Sequence, residues 1–130
     1  MGKMGETMTT AALLMLVGRV AFGLFFVIAA FRNTIHFKER IPSVTNYGWP
    51  MPVPLVAVGF AMQWIGGLSL TFGIYPIIGA LVLIAFLVLA TTCYHNMFMF
   101  KGKERDPHLY LVLVNITLAG GLLLVIADYL

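Results

Sequence analysis

Four long apolar stretches separated by polar ones run along the chain, at residues 10–31, 53–72, 76–96 and 109–126. Each is close to the roughly 20 residues that a helix needs to cross about 30 Å of hydrocarbon. All four are expected to be helices, because a strand exposed to lipid would leave its backbone groups unpaired. Proline marks where they begin: Pro52 and Pro54 open the second, Pro76 the third and Pro107 the fourth. It is tolerated in a first helical turn, where its missing N–H would have no partner in any case. The connections are unequal. Arg32 to Pro52 forms one long loop between helices one and two, Gly73 to Tyr75 a tight uncharged hairpin, and a third polar segment holds Lys101, Lys103 and Arg105. The fold class predicted is an all-α integral membrane bundle of four transmembrane helices, in a single domain over residues 1–130. The first nine residues read as a short polar tail.

Within these apolar runs the few polar residues indicate which faces turn inward. Arg19 lies near the middle of the first run, where a guanidinium costs at least about 2.5–3.5 kcal/mol against lipid. It must therefore face neighbouring helices. In the second run Gly59, Gln63, Gly66 and Gly73 fall at i, i+4, i+7 and i+14, one face of a helix. Glycines along such a stripe let a second backbone approach closely. Gly23 follows Arg19 by four, and Asn115 shares a face with Ala119, beside Gly120 and Gly121. At about 1.5 Å per residue, Arg19 and Gln63 are expected near the midplane and Asn115 toward the third loop. A single Arg19–Gln63–Asn115 polar core is the expected arrangement and a candidate ligand site. Asp128 is a poorer partner, on the order of 10 Å further out unless the helices are shifted along the membrane normal. Against a ligand role stands the architectural one, since polar contacts between membrane helices contribute about 0.6–2 kcal/mol and many serve packing alone.

Composition supports the membrane reading. Of 130 residues, 61% are hydrophobic and 10% charged, with a mean hydropathy of +0.97, whereas soluble domains average about 25% charged. The net charge of +3 does not indicate nucleic acid, because most cations sit in the loops. Arg32, Lys38, Arg40, Lys101, Lys103 and Arg105 lie on one side and Lys3 on the other, so loops one and three are expected in the cytoplasm and both termini outside. Tyr47 and Trp49 read as interfacial anchors. The lone Cys93 excludes an intrachain disulfide and CxxC redox chemistry. The first run is about twice a secretory h-region and lacks an A-x-A-like cleavage site, so it is expected to be retained.

His36, His95 and His108 fall on one membrane side and form the best metal or haem constellation available. Their spacing matches no HxxxH or HExxH pattern, and three interfacial histidines are more often unconnected. Asn96 and Asp106 lie nearby as supporting partners. There is no G-x-S-x-G, no phosphate loop and no acidic pair at mid-membrane. Tyr94, Met97, Phe98, Met99 and Phe100 read as an aromatic and methionine belt, on which a quinone or a lipid head group could stack.

The run Arg19-x3-Gly23-x2-Phe26-x3-Ala30 resembles the opening of the DoxX family of small four-helix membrane proteins. Gly48-Trp49-Pro50-Met51-Pro52 is similar to that family's Gly-x-Pro-x-Pro approach to helix two. Gln63-Trp64-Ile65-Gly66-Gly67-Leu68, running on to Leu70 and Gly73, resembles its Glu-x2-Gly-Gly segment. His95 closes helix three, and Asn115-x4-Gly120-Gly121-Leu122-Leu123-Leu124 is similar to its fourth helix. Two positions depart: the family's helix-two acid is Gln63 here, depriving Arg19 of its expected counter-ion, and the lysine usual after helix one is Asn33. The resemblance implies a subunit associated with quinol oxidases or thiosulfate–quinone oxidoreductases, or an anchor for soluble redox enzymes, in a bacterial or archaeal cytoplasmic membrane. The expected role is a mainly structural subunit of a quinone-linked complex, in contact with membrane lipids and with a larger membrane complex or copies of itself. It helps shape a quinone or lipid site, with no catalytic set of its own. Two alternatives remain: a haem or metal redox protein using the histidines, and a binder or transporter of an anionic or lipid-like ligand using Arg19.

Overall fold

The computed structural model describes residues 9–41 and 43–130; the polar tail, apart from Thr9, lies outside the described residues. Four long helices are present: α1 (Thr10–Ile35), α3 (Val53–Phe72), α4 (Pro76–Tyr94) and α5 (Arg105–Tyr129), with a one-turn α2 (Phe37–Arg40) after the first. All four are long and apolar enough to cross a membrane. Two 3₁₀ turns, at Met97–Met99 and Gly102–Glu104, join α4 to α5. Among the described residues there is no strand beyond an isolated bridge between Val44 and Pro50.

The helix ends follow from local chemistry. The Thr9 hydroxyl accepts the Ala12 N–H at 3.1 Å and caps α1. Proline stands in the first turn of α3 and of α4. Gly73 ends α3 in the left-handed conformation, φ 70°, the common glycine stop. Tyr75 is also left-handed, φ 48°, which lets the chain reverse between α3 and α4 in three residues. At the other end α1 runs past the expected Phe31, because its polar last turn finds partners outside the helix. Asn33 bonds to Gln63, and Trp64 donates to Thr34 at 2.9 Å. The irregular connection therefore reduces to Ile41–Pro52, shorter than the loop expected from Arg32.

Sequential helices pack as neighbours, α1 on α3, α3 on α4 and α4 on α5, while α1 and α5 touch sparingly. Glycine sets the closest approaches. A Cβ at Gly67 would press on Val27 and the Gly23 carbonyl, and one at Gly23 would run into the backbone of Thr71. On its other side α3 offers Gly66, where a Cβ would strike Leu83 and the Gly79 carbonyl. Gly121 lies under the ring of Phe22, but Gly120 has nothing within 4 Å and Gly59 meets only Phe86 at 3.6 Å. The expected glycine stripe is thus used in part; Gly67, on the α1 side of α3, and Gly79, on α4, make further close contacts. Phe26, Leu70, Ala80, Leu83, Leu87, Leu122 and Val125 form the core. The outward faces are rich in exposed apolar side chains, among them Leu14, Phe25, Ile65, Val88 and Leu124, as suits helices solvated by lipid.

Candidate functional site

The Gly23–Gly67 contact fixes the register of α1 against α3, and with it the depth of Arg19. Residues 19–37, through α1 and into α2, lie along residues 60–73 of α3 and its cap, so Thr10–Gly18 project beyond its end. Arg19 is accordingly level with the last turn of α3. Its Nε donates to the Leu70 carbonyl at 3.0 Å and its Nη1 to the Tyr129 hydroxyl at 2.5 Å. The guanidinium also lies over Gly73, where a Cβ would come within 2.9 Å of Nη1. The last four carbonyls of a helix have no intrahelical partner and carry the negative end of its dipole. Arg19 satisfies one of them from a neighbouring helix. Among the described residues no carboxylate lies within ion-pairing distance of it. Asp128 and Tyr129 instead line, with Arg19, Met15, Leu16 and Val125, an open groove of about 410 Å³ between α1 and α5.

The expected Arg19–Gln63–Asn115 cluster does not form, because that register separates Arg19 from Gln63 and Asn115 on α5 turns to α4. Gln63, 6% exposed, accepts from Asn33 Nδ2 at 2.8 Å, and Asn33 Oδ1 accepts from Arg40 Nε at 3.0 Å. This chain ties α2, α1 and α3 together at the loop side of the bundle. Asn33 and Gln63 are the two positions at which the chain departs from the pattern it resembles, and they are hydrogen-bonded to each other. Asn115 belongs to a third place, donating to the Thr91 hydroxyl at 2.9 Å between α4 and α5. Sequence reasoning missed the roles of Asn33, Arg40 and Tyr129. Tyr129 lies 110 residues from its partner in sequence, and Asn33 and Arg40 stand where the polar loop was expected.

The histidines divide two and one. His36 faces Glu39 on its own turn at 3.0 Å. His95, at the end of α4, and His108, in the first turns of α5, bring their Nδ1 atoms to 3.4 Å. Phe100 stacks on His108, centroids 3.9 Å apart and planes 7° from parallel. Burial, and after it the neighbouring His108, holds the His95 imidazole below its ordinary range. The triad expected from the sequence is therefore a pair, and among the described residues no three His, Cys, Asp or Glu side chains converge on a metal position.

A small hairpin, Ser43–Met51, covers this end. Its turn is closed by Thr45, 4% exposed, whose N–H and hydroxyl both donate to the Trp49 carbonyl at 3.0 Å. It docks on the last turn of α4: the Asn46 N–H donates to the Cys93 carbonyl at 2.7 Å, and Ser43 bonds to the Tyr94 hydroxyl at 2.8 Å. With its amide turned to suit its surroundings, Asn46 donates to the Tyr94 carbonyl at 2.7 Å. Its oxygen then accepts the N–H groups of His95 (3.1 Å) and Asn96 (2.7 Å). A loop residue thus caps α4 and holds His95 in place. Asn46 too was not anticipated, since nothing local marks a cap supplied from another segment.

Chemically, the described residues offer a cation at the rim of a lateral groove, an amide pair tied to Arg40 at the other end and a pair of imidazoles where α4 passes to α5. No curated protein and no solved structure matches the chain. A family model described as DoxX matches residues 14–96. That span, more than half of the chain, runs from Leu14 on α1 to the end of α4. It takes in Arg19, the Asn33–Gln63 pair, the glycines at which α1, α3 and α4 meet, and His95, and on this match the chain belongs to the DoxX family.

Proposed function

We propose that this protein is an accessory integral subunit of a quinone-linked membrane oxidoreductase. It packs its outer helix faces against a larger partner and lends its α1–α5 groove to a quinone or lipid. Family membership supports the redox association, since the resemblance drawn from the sequence leads to such complexes. The observation that carries the accessory role is the open seam of the bundle. α1 and α5 touch sparingly, and Arg19, Asp128 and Tyr129 stand in an otherwise apolar groove. A ring carbonyl of a quinone or the head of a lipid could accept from the guanidinium there, with its tail along Met15, Leu16 and Val125. Gly120, open on the outside of α5, offers a further close approach for another helix. The cation bias of loops one and three orients both toward the cytoplasm.

The test is the native mass of the protein, gently solubilised from its own membrane with lipids retained. Co-migration with redox polypeptides is the expected result. A particle of monomer or small homo-oligomer mass would overturn the subunit reading. It would favour the second reading, a self-contained binder of a lipid-like or anionic molecule at Arg19, for which the same groove speaks.

A further inference from the structure

From the His95–His108 pair we infer a binding site for a single divalent transition-metal ion, independent of the subunit reading above. The two Nδ1 atoms are 3.4 Å apart. That is long for a hydrogen bond to nitrogen, given that N–H···O bonds run about 2.7–3.2 Å. It does match the edge of a metal polyhedron. Two imidazole nitrogens at about 2.0–2.1 Å from one ion, at a tetrahedral angle, lie about 3.3–3.4 Å from each other.

The backbone of His95 and the ring of His108 are held from outside the pair. The backbone N–H of His95 donates to the Thr91 carbonyl and to the Asn46 amide oxygen. His108 rises from the start of α5 with Phe100 flat against its ring. Preorganised ligands of this kind lose little freedom on binding. The pairing is not imposed by neighbouring positions on one helix, because the two histidines come from different helices joined by the segment 96–104.

The donor set defines the ion. Two neutral imidazoles suit Zn²⁺, Cu²⁺ or Ni²⁺ and not the hard cations Mg²⁺ or Ca²⁺. With no third His, Cys, Asp or Glu converging among the described residues, the remaining positions fall to water or an exogenous ligand. The site is therefore an open, exchangeable one, of the kind that binds small anions or oxygen donors, and not a closed structural site. It sits at the membrane surface where α4 passes to α5, and a bound ion would clamp these helices together.

The test uses the full chain in lipid nanodiscs, purified through a tag without histidine and stripped with chelator. Zn²⁺ alone is then titrated, and the loaded protein is read by X-ray absorption at the zinc edge. One equivalent per chain with two imidazole nitrogens in the first shell is expected. His95→Gln and His108→Gln should each weaken uptake at least tenfold, whereas His36→Ala leaves it unchanged. No stoichiometric uptake, a first shell without two imidazoles, or equal loss in His36→Ala would each overturn the site. Because the absorption spectrum is taken on unaltered protein, it decides the matter even if a histidine variant fails to fold.

Discussion

Arg19 reaches the end of a neighbouring helix, and its position accounts for two other residues. The Leu70 carbonyl lies in the last turn of α3, where intrahelical donors have run out, and the guanidinium supplies one. Gly73 is needed twice over: it turns the chain in the left-handed region, and any side chain there would press on that guanidinium. Arg19→Gln should cost about 1.5–3 kcal/mol, the range for hydrogen bonds to charged groups. Tyr129→Phe removes a single acceptor on the exposed side and should cost about 0.5–1.5 kcal/mol. Denaturant unfolding in mixed micelles measures both. An Arg19→Gln variant as stable as the parent would show that the arginine does not act as a cap on α3.

At the level of helices, the junction of α1 and α3 rests on glycine contacts and one amide pair. Gln63 and Asn33 replace the acid and the lysine that the family resemblance led one to expect. Their contact at 2.8 Å joins the two departures in one amide pair and sets position 63 beside Asn33, not beside Arg19. Gln63→Glu alone would bury a carboxylate against an amide. Asn33→Lys alone would set an ammonium beside the Arg40 guanidinium, which now donates to Asn33. Each single substitution should therefore destabilise the bundle, and the double variant should recover part of the loss. A coupling energy of about 0.5–3 kcal/mol is expected from a double-mutant cycle. Strict additivity would mean that the two side chains do not act as a pair. A buried ion pair need not exceed the neutral one in stability, because desolvation offsets much of its attraction.

For the molecule as a whole, the hairpin, α4 and α5 close one end of the bundle around His95, and pH tests that closure. The folded protein holds this imidazole below its ordinary pKa, chiefly by burial and then by His108. An unfolded chain titrates near about 6.5 and so binds more protons than the folded one between the two values. Stability therefore rises with pH across that window and falls as pH drops below about 6.5. With chelator present, the unfolding temperature should decrease from pH 7 to pH 5.5, and less so in His95→Gln. An equal decrease in the variant would place the titrating group elsewhere.

The number of spans and their helical nature were legible in the chain. Run length and hydropathy decide whether a segment can live in lipid, and each segment carries that information by itself. Arg19, Gln63 and Asn115 were also recognisable as inward-facing, since a polar group in an apolar run must find a protein partner. Which partner it finds depends on the relative sliding of helices, and only tertiary packing sets that. One close glycine contact between α1 and α3 sets Arg19 at the end of α3, apart from Gln63, and pairs Gln63 with Asn33. The same holds for the histidines: their shared side could be read from topology, but the meeting of His95 with His108 depended on the turn between α4 and α5 and on Asn46. Hydrophobicity is a property of each residue along the chain; register is a property of surfaces fitting together, and no single segment contains it.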